Sequence, residues 1–137
     1  MIPELVAGLE PAPYAAPWWA ALRERRLTVQ RCQACGHRQH NPRPMCIACG
    51  GADLGFEAID GTGTLLTHTT IRRAPLPELR EHVPYSLGLV ELAHGIRMFG
   101  ALSTAPPEAF RIGARVDTGF MDVTDDVTLL QFTVANK

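Results

Sequence analysis

Two CxxCG pairs, ten residues apart, constrain this chain of 137 residues more than any other feature. Cys32 and Cys35 form one pair and Cys46 and Cys49 the other, and together they are the only four cysteines. A CxxC turn aims two thiolates at one ion while leaving backbone N–H groups free to face the sulfurs. Gly36 and Gly50 follow the pairs and suit the left-handed backbone that closes such a knuckle. Two knuckles make a tetrahedral four-thiolate site with every coordination position filled by protein, so the metal is structural rather than catalytic. Ligand type and spacing point to zinc. Iron in a rubredoxin-like site uses the same ligands, and colour separates the two: zinc is colourless in thiolates and ferric iron red. Disulfides would need an oxidising compartment, and a dithiol redox pair would leave the second matched pair unexplained. Zinc binding of this type is worth about 10–16 kcal/mol in small peptides, enough to fold a ribbon this short. His37 and His40 lie between the knuckles and are expected at the surface, because four thiolates already satisfy the metal.

The length fits one domain with a small appendage. Hydrophobic residues make up 46% of the chain and charged ones 20%, which is globular. The formal net charge is −1, which argues against a general nucleic-acid footprint. Charge is nonetheless uneven. Six arginines lie within residues 23–43 against Glu24 alone, whereas the stretch from Asp117 onward holds four Asp and no Arg. No apolar run approaches the roughly 20 residues needed to cross a bilayer. The opening MIPELVAGLEPAPYAAP lacks a basic start and is broken by prolines, so it does not read as a secretory signal. A cytoplasmic location is the expectation, with no membrane partner.

Ahead of the ribbon, PAPYAAPWWAALRERR reads as a short helix that Pro17 can open. Trp18 and Leu22 are four apart and share a face, whereas Trp19 must point elsewhere. Trp18, Trp19 and Leu22 are therefore the candidate partner-contacting residues, because Trp anchors many interfaces. After residue 53 the pattern changes to short strands punctuated by Gly and Pro. Strands are expected at 61–73, 85–93, 96–103, 115–121 and 127–134, with a bend or bulge at the GTGT glycines and a tight hairpin at His94-Gly95. Five short strands with a long connection between the third and fourth make a Greek-key barrel of the OB type. The expected fold is mainly β: an N-terminal segment with a short helix (1–29), a rubredoxin-like zinc ribbon (30–52) and a five-stranded OB-fold barrel (53–137). APLPELREHVP, residues 74–84, is a long excursion on the barrel rim, with Arg72 and Arg73 leading into it and Arg80 and His82 inside it.

No catalytic constellation emerges from the residues. The chain has no cysteine free of the metal pairs, no GxSxG, no HExxH and no phosphate-loop pattern. His68 stands alone in a Thr-rich strand, where structural histidines outnumber general bases.

The combination of LTVQRCQACGHRQHNPRPMCIACGG, GTGTLLTHTTIRRAP, PYSLGLVELAHGIRM and IGARV resembles an acyl-CoA-associated family. That family joins a rubredoxin-like zinc ribbon to an OB-fold domain and was long known only as a domain of unknown function. The likeness runs from about Trp18 to Phe132, with Trp18-Trp19 standing where the family's helix often has Phe-Trp. It implies that Cys32, Cys35, Cys46 and Cys49 are metal ligands. It further implies an accessory, non-catalytic subunit of a thiolase-superfamily enzyme (a thiolase, an aldolase or an acyltransferase acting on acyl-CoA thioesters) that supports assembly and helps accommodate the CoA moiety.

Arg72, Arg73 and Arg80 are the candidates for the CoA phosphates, from charge and position on the loop. Two other classes compete. A free-standing acyl-CoA-binding protein would take the ligand without a partner. A single-stranded nucleic-acid-binding OB module would need aromatics interleaved with basic residues, and strands two to four offer only Tyr85, Phe99 and Phe120, with acids nearby. A rubredoxin-like electron carrier stands last and would be red.

Overall fold

The computed structural model describes residues 10–103 and 107–134. The first nine residues, read above as carrying no secretory signal, lie outside the described residues, as does part of the connection before the fourth barrel strand. Helix α1 spans Ala16–Arg23 and has proline in its first turn. It ends where Arg25 takes a left-handed φ of 61°. Arg25 and Arg26 donate their backbone N–H groups to Leu22 and Ala21, at 3.0 and 2.9 Å. This is a Schellman closure with arginine at the position glycine usually fills. The Arg25 guanidinium grips both carboxylate oxygens of Asp122 at 2.8 and 2.7 Å, which anchors the helix end to the barrel.

The ribbon is a three-stranded antiparallel sheet made of β1 (Thr28–Cys32), β2 (Arg38–Gln39) and β3 (Leu54–Ala58), in the order β2-β1-β3. Its third strand pairs Thr28 with Ala58 and Cys32 with Leu54, so the sheet runs past residue 52 to the start of the barrel. Hydrogen-bond pairing decides this, since nothing in LGFEA distinguishes a ribbon strand from a barrel strand.

Five further strands form a closed barrel: β4 (Thr62–Ile71), β5 (Tyr85–Glu91), β6 (Arg97–Leu102), β7 (Arg115–Asp122) and β8 (Thr128–Val134). Their order is β4-β5-β6-β8-β7, closed by β4 against β7. All neighbours are antiparallel except β6 and β8, which meet only at Ala101–Gln131 and Leu102–Phe132. This is the Greek-key OB topology, and the observed strands match the expected five closely. Turn residues His94 and Gly95 both take positive φ in the short link from β5 to β6.

Of the GTGT glycines, Gly61 forms the expected bend just ahead of β4. The irregularity in β4 falls between Leu65 and Thr67, beyond them. Gly63 is needed for close approach, since a Cβ there would lie 2.6 Å from the Glu91 carbonyl oxygen and 2.7 Å from Val90 Cγ1.

One apolar core unites the parts. Leu27 and Val29 of the ribbon segment, Trp18 and Leu22 of the helix, and Leu65, Val90, Met98, Val116 and Phe132 of the barrel belong to one buried cluster. Among the described residues, no helix is long and apolar enough to cross a membrane.

Candidate metal centre and exposed surfaces

Cys32 ends β1 and Cys35 closes the turn after it, while Cys46 and Cys49 form the matching turn between β2 and β3. Each turn is closed in the same way. Gly36 donates to the Cys32 carbonyl at 2.8 Å and Gly50 to the Cys46 carbonyl at 2.9 Å, with φ of 79° and 77° at the two glycines. The N–H groups of Ala48 and Gly51 point at the sulfurs of Cys46 and Cys49, each at 3.4 Å. All four sulfurs lie within 4.8 Å of one another, and the Cys32–Cys49 and Cys35–Cys46 separations are both 3.7 Å. A tetrahedron with Zn–S arms of about 2.3 Å has edges of about 3.8 Å. The two short separations match such edges and the remaining pairs lie within 4.8 Å, so the four sulfurs form a cluster of the size a tetrahedral zinc needs, and we read the short S···S distances as coordination edges rather than thiol hydrogen bonds. Cys32 and Cys46 are buried and Cys35 and Cys49 exposed.

Two side-chain networks that sequence reasoning missed hold this centre. Gln30 and Gln39, exposed by only 1% and 4%, face each other across β1 and β2. Gln39 Nε2 donates to Gln30 Oε1 at 2.7 Å and to the Met45 carbonyl at 3.1 Å. Gln30 bonds both the N–H and the carbonyl of Arg43, and Gln39 Oε1 accepts from the Ile47 N–H. Both amides are thus satisfied, and they splint the second knuckle to the sheet. On the other face, Glu57 accepts from Arg31 and Arg38, each at 2.7 Å. Arg38 first and Arg31 second hold its carboxyl below the ordinary carboxylate range.

The histidines behave differently from one another. His37 is half-buried and gives its carbonyl to the Cys32 N–H at 2.9 Å. His40, expected at the surface, is tucked against Trp18 instead, with ring centroids 5.4 Å apart. Burial lowers its pKa to about 4, and its Nδ1 has no hydrogen-bond partner among the described residues. His68 packs its ring against Phe110 at 5.7 Å.

Arg72, Arg73 and Arg80 are all exposed, the first two just past the end of β4 and the third after the turn Pro77–Leu79. None of the three forms an ion pair among the described residues. His82 is exposed in the same loop.

The trio Trp18, Trp19 and Leu22 divides. Leu22 is fully buried and Trp18 is 8% exposed, because the face they share is the one α1 presses into the core. Leu22 thus offers no surface, while Trp18 keeps a small exposed edge that lines the same groove as Trp19. Trp19 stands edge-on to Trp18, at 5.0 Å between ring centroids, and reaches the surface. There it borders an apolar groove of about 320 Å³ with Leu87, Phe99, Gly100, Ala101 and Leu129.

Comparison with known proteins identifies the architecture. The family described as the ChsH2 rubredoxin-like zinc ribbon domain matches residues 19–55, and that described as the ChsH2 C-terminal OB-fold domain matches residues 56–120. A probable enoyl-CoA hydratase alpha subunit of Thermomonospora curvata is 33% identical over 118 residues, which is 86% of this chain and 36% of that protein. The chain thus spans about a third of that relative. A DUF35 domain-containing scaffold protein of Methanocaldococcus jannaschii is 29% identical, over 79% of this chain and 77% of its own. A solved chain from the Ltp2-ChsH2(DUF35) aldolase superposes with a TM-score of 0.84 at 31% identity, covering 93% of this chain and 99% of that one. With its four-cysteine structural zinc site, its OB barrel and matches to both domains, the chain belongs to the ChsH2 (DUF35) family of zinc-ribbon–OB-fold proteins.

Proposed function

We propose that the chain is a non-catalytic accessory subunit of a thiolase-superfamily enzyme acting on acyl-CoA thioesters. The observation that carries this reading is the near end-to-end likeness to a chain from the Ltp2-ChsH2(DUF35) aldolase. The scaffold designation of the archaeal relative agrees with it, and the hydratase designation of the other relative agrees with CoA thioesters as the substrate class. The one metal centre among the described residues has the chemistry of a structural site, since four thiolates leave zinc no open position for water or substrate. Chemistry on the thioester then falls to the partner.

Arg72, Arg73 and Arg80 are the residues of this chain that meet the CoA phosphates. Guanidinium groups that form no ion pair among the described residues suit that role, because none of those contacts must be broken before a phosphate is bound. The enzyme that co-purifies with the chain is assayed on its acyl-CoA substrate with and without the chain, and with a chain carrying Arg72→Ala, Arg73→Ala and Arg80→Ala. Activity that depends on the chain, and a raised KM for the CoA ester with the triple variant, are expected. An enzyme equally active alone would refute the accessory role. Tight CoA binding by the isolated chain, with no stable complex, would favour the free-standing carrier.

A further inference from the structure

The four zinc ligands are not equally open to solvent. Cys32 is 0% and Cys46 1% exposed, whereas Cys35 and Cys49, the second cysteine of each knuckle, are exposed. The asymmetry follows from the ribbon. Cys32 ends β1, the middle strand of the sheet, and Cys46 sits between Met45 and Ile47, whose backbones Gln39 fastens to β2. Around the other two the chain is open: Gln33 and Ala34 ahead of Cys35 are exposed, as are Ala48 and Gly50 on either side of Cys49.

Exposure matters because these sulfurs are nucleophiles. A cysteine bound to zinc is held as its thiolate, so no proton has to leave before it reacts. Oxidation of cysteine follows thiolate character and access together. All four ligands share the first property, but Cys35 and Cys49 alone have the second.

The sulfurs are also paired for the step that follows a first oxidation. The two separations of 3.7 Å divide the four without overlap, Cys35 with Cys46 and Cys49 with Cys32. Each pair joins an exposed sulfur to a buried one, and each runs from one knuckle to the other. Bonded sulfurs stand about 2.05 Å apart, so each pair closes with a shortening of about 1.6 Å.

We propose that the ribbon is a peroxide-reactive site: Cys35 and Cys49 are oxidised first, and Cys46 and Cys32 resolve them as cross-knuckle disulfides, releasing zinc. The Cys35 thiolate attacks one oxygen of hydrogen peroxide. An S–O bond forms, the O–O bond breaks and hydroxide leaves, so sulfur is oxidised to the sulfenic acid as peroxide is reduced. The Cys46 thiolate then attacks that sulfur; S–S forms, S–O breaks and a second hydroxide leaves. Solvent protonates both hydroxides. Cys49 and Cys32 react in the same way with a second peroxide. Each disulfide takes two of the four ligands from the metal. Exchange with a thiol reductant restores the thiolates. The site is independent of which enzyme the chain serves.

The zinc-loaded full chain is titrated with hydrogen peroxide while a chromophoric chelator reads the zinc released. Free thiols are then alkylated and the tryptic peptides mapped without reduction. Cleavage after Arg31, Arg38 and Arg72 places Cys32 and Cys35 in one peptide (32–38) and Cys46 and Cys49 in another (39–72), because Pro44 protects Arg43 from trypsin. Cross-knuckle disulfides therefore join the two peptides, whereas disulfides within the knuckles leave them apart. The expected result is zinc release in step with joined peptides, complete by about two peroxides per zinc, and reversed by a thiol reductant. In a parallel run dimedone, which traps sulfenic acids, should label Cys35 or Cys49. Separate peptides with internal disulfides would overturn the pairing. Dimedone on Cys32 or Cys46 would overturn the order of attack. Zinc retained in excess peroxide, or lost with sulfinic acids and no disulfide, would overturn the site altogether.

Discussion

Replacing Gln30 by methionine tests how the zinc knuckles are held. The change keeps the side chain's length and removes its polarity at a site only 1% exposed. Three hydrogen bonds disappear: one from Gln39 and two with the backbone of Arg43. Each is worth about 1 kcal/mol net. Arg43 is exposed, so its N–H and carbonyl regain water, whereas Gln39 keeps its bonds to Met45 and Ile47 but is left with an unpaired amide proton in the interior. The sum is a loss of about 2–3 kcal/mol, with the buried amide's share the largest. Folding of the ribbon and zinc binding are one equilibrium, so the loss appears as zinc affinity weakened by about 30- to 150-fold. Competition against a chromophoric chelator measures it directly. Gln30→Met with Gln39→Met should cost less than the two single changes added, because the double variant strands neither amide. Zinc affinity within twofold of wild type in Gln30→Met would refute the splint.

Other outcomes follow from single contacts. His40 has a folded pKa of about 4 against an ordinary 6.5, so the unfolded chain binds its proton more readily. Its contribution is present in full above about pH 6.5 and is lost as pH falls toward 4, by up to about 1.4 kcal/mol per pH unit. Thermal unfolding between pH 7 and pH 5, with zinc in excess, should show a slope that flattens in His40→Phe; an unchanged slope would assign the pH dependence elsewhere. Gly63→Ala places a methyl group 2.6 Å from a backbone oxygen that cannot swing away, at a cost of about 1–3 kcal/mol in urea unfolding. Gly95→Asn meets nothing within 4 Å and keeps a φ of 71° that asparagine tolerates, so it should be close to neutral.

What could be read from the sequence was whatever local chemistry dictates. Thiolate spacing and the glycines after it announced the knuckles, because a metal's coordination shell is satisfied within a few residues. The barrel strands were legible from turn residues and β-branched runs. Other features depended on which surfaces meet. Leu54–Ala58 joins the ribbon through pairing with Thr28–Cys32, a partner choice its five residues do not encode. Helical spacing separated Trp19 from Trp18 and Leu22 but could not say which side faced the core. The outward Leu87 and Leu89 ran against the usual alternation, and only the space already filled by Leu65 and Leu102 explains why glycine and serine are inside. Nothing in the sequence marks Gln30 and Gln39 as buried, since glutamine is rarely buried unless its amide is fully bonded.

The accessory role is tested most directly by recovering the tagged chain from its native host and measuring what comes with it. The expected result is a thiolase-superfamily enzyme in near-equal amount, retained through gel filtration and active on an acyl-CoA thioester. The chain recovered alone, or with single-stranded nucleic acid in place of an enzyme, would contradict it.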